Sequence, residues 1–333
     1  MTSTITAKTT SGNLWRAALM LFACLALAAS PAAAQAPTIR VGHFPNITHM
    51  QALIAHHLSR QGKGWFEERL GPGTKIEWFV YNAGPSAMEA FFASAIDLTY
   101  VGPNPAINAY ARSRGAEVRI VAGAANGGAA LVVQPEAPLR VAADFRGKKI
   151  GTPQLGNTQD VAARAWLAAG GLKITQTGGD AHVLPTANPD QILLFKQKQL
   201  DAVWTVEPWV SRLQLEAQGK VLIEESEAVT TVLAARVEFM RTNRELVRQF
   251  IAAHRELTEW IKANPAEAQR MVRAELAAET RTDMPAELVT HAWKRIIVTG
   301  DVSSQALEKF VAGAQAAGFL RGAPELTGLI EQP

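Results

Sequence analysis

The 333-residue chain has one cysteine, Cys24, in a short apolar run near its start. None follows, which excludes disulfide scaffolding, thiolate metal ligation and cysteine nucleophiles from the body of the chain. Long hydrophobic stretches are missing too. No segment after residue 34 holds 18 consecutive apolar residues, so nothing there reads as a membrane span. Excess charge of one sign is also absent. The 33 Lys and Arg against 30 Asp and Glu leave +3, too little to point to nucleic acid or lipid. Catalytic signatures are lacking as well. Gly84-Pro85-Ser86-Ala87-Met88 fails a G-x-S-x-G pattern at its last position, and no H-E-x-x-H occurs. With 48% hydrophobic and 19% charged residues, the composition is that of an ordinary globular protein. The length allows a large core and two lobes.

The start of the chain reads as a targeting segment. Lys8 and Arg16 precede the apolar run Ala17–Ala29, and Ser30-Pro31-Ala32-Ala33-Ala34 supplies small residues. That is the pattern of a secretory signal peptide over residues 1–34, cleaved after Ala34, and it predicts export of the mature chain. A rival reading lipidates Cys24 after Leu21-Phe22-Ala23, although Phe22 is bulky for that site. Cleavage removes Lys8 and Arg16, so the formal charge of +3 falls by two to +1.

The body alternates short apolar strands with helices that open at polar turns. This pattern predicts α/β lobes with mostly parallel sheets. Ile39–Phe44 runs into Pro45-Asn46-Ile47-Thr48, Ile76–Tyr81 into Asn82-Ala83-Gly84-Pro85-Ser86, and Leu98–Val101 into Gly102-Pro103-Asn104-Pro105. Lys149–Thr152 leads to Gly156-Asn157-Thr158, and Ala202–Val206 to Glu207-Pro208. Spacing predicts capping boxes at Thr48/Gln51, Ser86/Glu89 and Thr242/Glu245, with Asn104 as an N-cap before Pro105. Gly123–Gly128 reads as a flexible crossover between lobes. A phosphate loop would need a helix directly after the glycines, and the strand Ala129–Val133 follows instead. The C-terminal third reads as helices that pack on the first lobe, with Leu246, Phe250, Ala253, Leu257 and Trp260 on one face. Helix N-termini carry unpaired N–H groups and partial positive charge. Several of them at one sheet edge, without a nucleophile, base or metal set, predict anion binding and not chemistry.

Three blocks of residues then resemble a known family. The first is Val41-Gly42-His43-Phe44-Pro45-Asn46-Ile47-Thr48-His49 with Asn82–Ser86 and Asp97–Gly102. The second is Gly147–Pro153 with Gly156-Asn157-Thr158-Gln159-Asp160, and the third is Asp201–Trp209. In order and spacing they resemble the periplasmic substrate-binding proteins of ABC importers for aliphatic sulfonates, taurine and nitrate. The resemblance implies a type II two-lobe periplasmic-binding-protein fold, with a hinge that closes over a small anion. Each lobe would hold a central sheet flanked by helices, and a helical tail would follow. The implied boundaries are 37–124 for the first part of lobe I, 125–226 for lobe II, and 227–333 for the return to lobe I. The implied partners are a small anionic ligand, a membrane permease and its cytoplasmic ATPase. A monomer without cofactor, nucleic acid or enzymatic activity is expected. The alternatives are another small-anion binder such as a nitrate protein, a periplasmic sensor subunit, and a periplasmic enzyme on the same lobes.

The candidate ligand contacts lie at the strand–helix turns. They are Phe44 and Asn46 at the first turn, with Thr48 beside them. Asn82, Gly84 and Ser86 follow at the second, and Gly102 and Asn104 at the third. Gln154, Gly156, Asn157, Thr158 and Gln159 form the equivalent turn of the second lobe. Each has a plainer reading as a cap, a turn or, for Phe44, a core aromatic. Glu207 would favour a ligand with an ammonium group, or else serves as an N-cap or ion-pair partner. Trp204 and Trp209 flank it, either covering the ligand or packing in the core. His43, His49, His56 and His57 lack tight metal-ligand spacing, and carboxylates begin only at Glu67. No metal site is expected from them, and a surface or cleft role is the plainer reading.

Overall fold

The structure is a computed structural model that describes residues 1–6, 37–322 and 324–332. The chain divides into Met1–Pro37 and Thr38–Pro333. Of the first unit only residues 1–6 and Pro37 are described, and they carry no helix or strand. The apolar run, Cys24 and the cleavage site expected for a signal peptide lie outside the described residues. Among the described residues no helix is long and apolar enough to cross a membrane.

Thr38–Pro333 builds two sheets. Strand β1 (Thr38–His43) passes through a 3-10 turn (Ile47–His49) into α1 (Met50–Arg60) and α2 (Trp65–Leu70). Next come β2 (Lys75–Val80) with α3 (Gly84–Phe92), and β3 (Leu98–Val101) with α4 (Pro103–Arg112). After β4 (Val118–Gly127) the chain enters the second sheet as β5 (Ala129–Val133). There β6 (Lys149–Thr152) feeds α5 (Thr158–Ala169), and β7 (His182–Pro185) feeds α6 (Asn188–Lys196). Strand β8 (Ala202–Val206) then feeds α7 (Trp209–Ala217). The chain returns through β9 (Lys220–Glu225) to β10 (Val229–Arg236) of the first sheet. The end of the chain comprises α8 (Val237–Thr242), α9 (Arg244–Ala263), α10 (Pro265–Thr280), α11 (Ala286–Trp293), β11 (Ile296–Val298) and α12 (Ser304–Ala316).

The strand orders are β11-β4-β10-β3-β1-β2 and β7-β6-β8-β5-β9. Strand β1 pairs parallel with β2 and β3, and β6 with β7 and β8. The pairings of β10 with β3 and β4, of β11 with β4, and of β5 with β8 and β9 are antiparallel. The sheets are therefore mixed rather than mostly parallel, because the strands next to each crossing enter against their neighbours. The stretch expected to be flexible is ordered: Gly123–Gly127 completes β4. Gly127 and Gly128 then take φ of 71° and 73°. Only a residue without Cβ adopts that region readily, and it turns the chain from one sheet to the other. Ser226–Ala228 makes the return.

Apolar residues cover both faces of each sheet. Helices α9, α10 and α11 pack on the first sheet as expected, through residues such as Phe250, Leu257, Val272 and Leu288. Helix α12 does more than that. Its Leu307 and Val311 join the first-sheet core, while Ala314 packs with Val161 of α5 on the second.

One polar group in the first core makes stability depend on pH. His254 is fully buried on α9, with Nδ1 2.9 Å from the Tyr100 hydroxyl and Nε2 2.8 Å from the Gly123 carbonyl. The carbonyl can only accept, so Nε2 holds the proton and Nδ1 accepts from Tyr100. Burial lowers the His254 pKa to about 4, and lowers that of buried His49 well below its ordinary value. The unfolded chain therefore binds protons that the folded chain refuses as pH falls from about 6.5 to about 4. Stability is expected to be complete above that window and to drop within it. His254 alone contributes on the order of 3 kcal/mol of the loss. Urea unfolding at a series of pH values checks this, and a flat profile across the window would exclude it.

Candidate functional site

The site begins with where three helices start. The spacing places caps at Ser86 and Asn104, but both helices open earlier. Helix α3 starts at Gly84 behind Ala83, and α4 starts at Pro103 behind Gly102; neither has a side-chain cap. Ser86 and Asn104 therefore sit inside first turns. Thr48 does not cap α1 either, and Gln51 donates its amide to the Ala124 carbonyl and the Thr258 hydroxyl. Thr242 ends α8 and returns its hydroxyl to Glu238 instead of opening α9. Prolines explain the early starts of α3 and α4. Pro85 and Pro103 have the φ of a first turn and no N–H to leave unpaired. Helix α5 is capped by the Asn157 side chain, which accepts only from Asp160 N–H. The N–H groups of Thr158 and Gln159 have no partner within that helix.

These three helix ends face one cavity between the sheets. From the first sheet it is lined by Phe44, Asn46, Thr48, His49, Asn82, Ala83, Gly84, Gly102, Pro105 and Thr230. From the second come Pro153, Asn157, Thr158, Gln159 and Val206. No Lys, Arg, Asp or Glu is among these lining residues. The Thr158 hydroxyl is buried and has no hydrogen-bond partner. His49 lines the cavity too, taking the cleft role open to the four histidines, although their spacing did not single it out. Its Nδ1 accepts the Phe44 N–H at 3.3 Å, so its proton sits on Nε2. The imidazole is neutral because burial lowers its pKa.

Nine of the sixteen candidate residues line the cavity, and the other seven are placed elsewhere. Gln154 donates to the Ser86 hydroxyl at 2.9 Å, which ties the two sheets' loops together. Two lining residues make similar ties: Asn82 Nδ2 donates to Pro153 O at 3.2 Å, and Trp209 Nε1 to Asn46 Oδ1 at 2.9 Å. Asn104 directs its amide to Phe310 O of α12. Gly156, at φ 78°, borders a separate cavity beside Phe319. Trp204 is buried in the second-sheet core with Nε1 on Glu225.

Glu207 is the clearest correction. It is fully buried and accepts from Ser211 N–H at 3.0 Å, Ser211 Oγ at 2.9 Å and Arg295 at 3.2 Å. Burial raises its pKa, opposed by those hydrogen bonds and by Arg295. Its lone pairs are committed to α7 and to the segment after α11, so no carboxylate is presented to a ligand. The sequence could not show this, because Arg295 lies 88 residues away.

Behind the second-sheet turn is a network that only Asp160, within the quoted motif, hinted at. Asp160 accepts from Thr152 Oγ1 at 2.8 Å and from Gly156 N–H at 2.9 Å. It pairs with Arg164 at 2.9 Å, both side chains being almost completely buried. Arg164 also donates to the carbonyls of Thr175 and Val183. The loop that presents Asn157 and Thr158 is thus anchored to β6, α5 and β7.

Comparison with known proteins settles the family. The pattern of the NMT1-like family matches residues 32–277. The chain belongs to the NMT1-like family. This NMT1-like protein is 27% identical over 254 residues to a Brucella abortus (strain 2308) protein named as a binding protein, covering 73% of this chain and 74% of that one. Its fold is similar to the alkanesulfonate-binding protein SsuA of Xanthomonas axonopodis pv. citri bound to MOPS. The TM-score is 0.73 at 20% identity, over 90% of this chain and 100% of that one. It is also similar to the periplasmic nitrate-binding protein NrtA of Synechocystis PCC 6803. There the TM-score is 0.68 at 15% identity, over 87% and 83% of the two chains. The NMT1-like chain therefore has the periplasmic-binding-protein fold.

Proposed function

We propose that this protein is the periplasmic solute-binding component of an ABC importer, and that it captures a small anion with a sulfonate headgroup. The observation that carries the reading is the meeting of three helix N-termini, drawn from both sheets, on one cavity with no charged side chain. Partial positive charge and unpaired N–H groups suit oxyanion oxygens, and the partnerless Thr158 hydroxyl adds one more donor. The lining offers no carboxylate for an ammonium group, so a plain alkanesulfonate is favoured over taurine. Phe44 and Val206 supply apolar surface for a short alkyl chain.

Binding proceeds by closure of the two lobes about Gly127-Gly128 and Ser226–Ala228, and the closed form is delivered to a permease driven by its ATPase. The ligand shifts that equilibrium only through its higher affinity for the closed form. No covalent step is involved.

The test is thermal unfolding of residues 35–333 with taurine, short and long alkanesulfonates, nitrate, sulfate, phosphonates and bicarbonate. A ligand at a hundred times its Kd adds about 2.7 kcal/mol, which raises the midpoint by about 5–10 °C at this size. An alkanesulfonate is expected to shift the midpoint most, with taurine behind it. If no anion moves the midpoint, the reading fails.

A further inference from the structure

A second cluster of polar side chains lies in the first-sheet core and plays no part in the cavity. His43 closes β1, His56 lies on α1, and Glu275 and Glu279 stand one turn apart on α10. His43, Glu275 and Glu279 are almost completely buried, and His56 is nearly so. Trp78 of β2 stacks on the His56 ring at 5.3 Å and meets the His43 ring edge-on at 5.5 Å.

Three ligand-type atoms converge there. His43 Nε2 is 3.2 Å from His56 Nδ1, and each nitrogen is 3.1 Å from Glu279 Oε1. Glu275 Oε1 is a fourth neighbour, 3.0 Å from His56 Nδ1. Hydrogen bonds cannot satisfy such a triangle. Each ring nitrogen either carries a proton or presents a lone pair, and the carboxylate oxygen presents lone pairs. Donors and acceptors cannot alternate around three corners, so one edge always sets proton against proton or lone pair against lone pair. The other oxygens, Glu275 Oε2 and Glu279 Oε2, are buried without a hydrogen-bond partner, and His57 Nδ1 lies 3.8 Å from Glu275 Oε2. Among the described residues Arg60, on Glu275, is the one Arg or Lys paired with these two buried carboxylates.

A cation at the centre removes the conflict, because it accepts every lone pair at once. Metal–nitrogen and metal–oxygen bonds of about 2.0–2.1 Å place tetrahedral ligand atoms about 3.3 Å apart. The three observed separations lie close to that edge. Two imidazole nitrogens with carboxylate oxygen, and no thiolate, suit zinc or a neighbouring first-row divalent ion. Magnesium and calcium take sets made mostly of oxygen. We propose that His43, His56 and Glu279, with Glu275 beside them, form a structural binding site for a divalent transition metal. The ion would join the end of β1, helix α1 and helix α10 in one staple. His43 directly precedes Phe44 and the turn that reaches the cavity, so the staple would hold the base of that turn.

The test uses tag-free protein stripped with a chelator, loaded with zinc and passed through gel filtration. About one zinc per chain is expected to be retained, and zinc but not magnesium is expected to raise the thermal midpoint. His56→Ala and Glu279→Gln are expected to lose the zinc, whereas His182→Ala, at an exposed strand position, is expected to keep it. If no zinc is carried through, or if both cluster variants retain it fully, the proposal is overturned. If the variants do not fold, cobalt in the unsubstituted protein decides. A d–d spectrum of a four- or five-coordinate nitrogen and oxygen site supports the assignment, and the spectrum of hexaaqua cobalt rejects it.

Discussion

Gly102→Ala is expected to weaken alkanesulfonate binding about ten- to a hundredfold and to leave the ligand-free protein about as stable as before. Gly102 caps α4 with φ −69° and ψ 154°, an extended conformation open to any residue. The new methyl would therefore cost nothing in backbone strain. Its obstacle lies across the cleft, where a Cβ at this position overlaps the Thr158 hydroxyl of the second sheet. The nearest first-sheet atom, Thr230 O, would be at an ordinary 3.7 Å. The added carbon is thus tolerated within its own lobe and resisted only when the two lobes meet. Turning Thr158 aside relieves the overlap but takes its hydroxyl out of the cavity, so either response lowers affinity. Titration calorimetry measures the affinity, and urea unfolding without ligand measures the stability. An affinity within about twofold of the unsubstituted protein would remove Gly102 and Thr158 from the closed interface.

Asp160→Ala carries the second large effect, and it acts on stability. The substitution leaves the Arg164 guanidinium buried without its carboxylate, and the Gly156 N–H and Thr152 hydroxyl without their acceptor. Breaking a buried ion pair from one side costs about 3–5 kcal/mol, because the remaining charge stays desolvated and unpaired. The thermal midpoint is expected to fall by roughly 10 °C. Asp160→Asn keeps the shape and some hydrogen bonds, so it is expected to fall less. Asp160 is a positioning residue, reaching the cavity only through the loop it anchors. Wherever the variant is folded, its affinity for an alkanesulfonate is expected to drop as well. A midpoint within about 1 °C of the unsubstituted chain would show that Arg164 finds solvent or another partner.

Substitution at Gly156 is expected to act differently from a simple block of the cleft. Its positive φ and its N–H bond to Asp160 make it part of the anchored loop. An added side chain would strain the backbone and press on Phe319, not on the ligand.

The sequence by itself determined the α/β architecture and the edge at which the site lies. Strands β3, β5, β6 and β8 begin and end where the apolar runs do, because buried strands are short, apolar and bounded by turn residues. The polar turns after β1, β2, β3 and β6 all reach the cavity, since chain direction puts the carboxyl ends of parallel strands on one side. Local signals were weaker where two starts compete. Proline drew α3 and α4 two or three residues ahead of the caps that the spacing predicts, and that shift leaves the helix ends free for a ligand. Strand β10 was not legible as a strand, because its partners β3 and β4 lie more than a hundred residues earlier.

Only the tertiary structure decided which polar residues are committed elsewhere. Glu207 looks like a ligand contact until Arg295 and Ser211 are folded against it. Asn104 looks like a cap until α12 arrives with the Phe310 carbonyl. The histidines of β1 and α1 look scattered until α10 brings Glu275 and Glu279 from more than 200 residues away. The physical reason is common to all three. Sequence spacing reports the period of one helix or strand, whereas a buried charge or hydrogen bond is satisfied by whichever element packs on it. That pairing is set by the order of strands and helices in space.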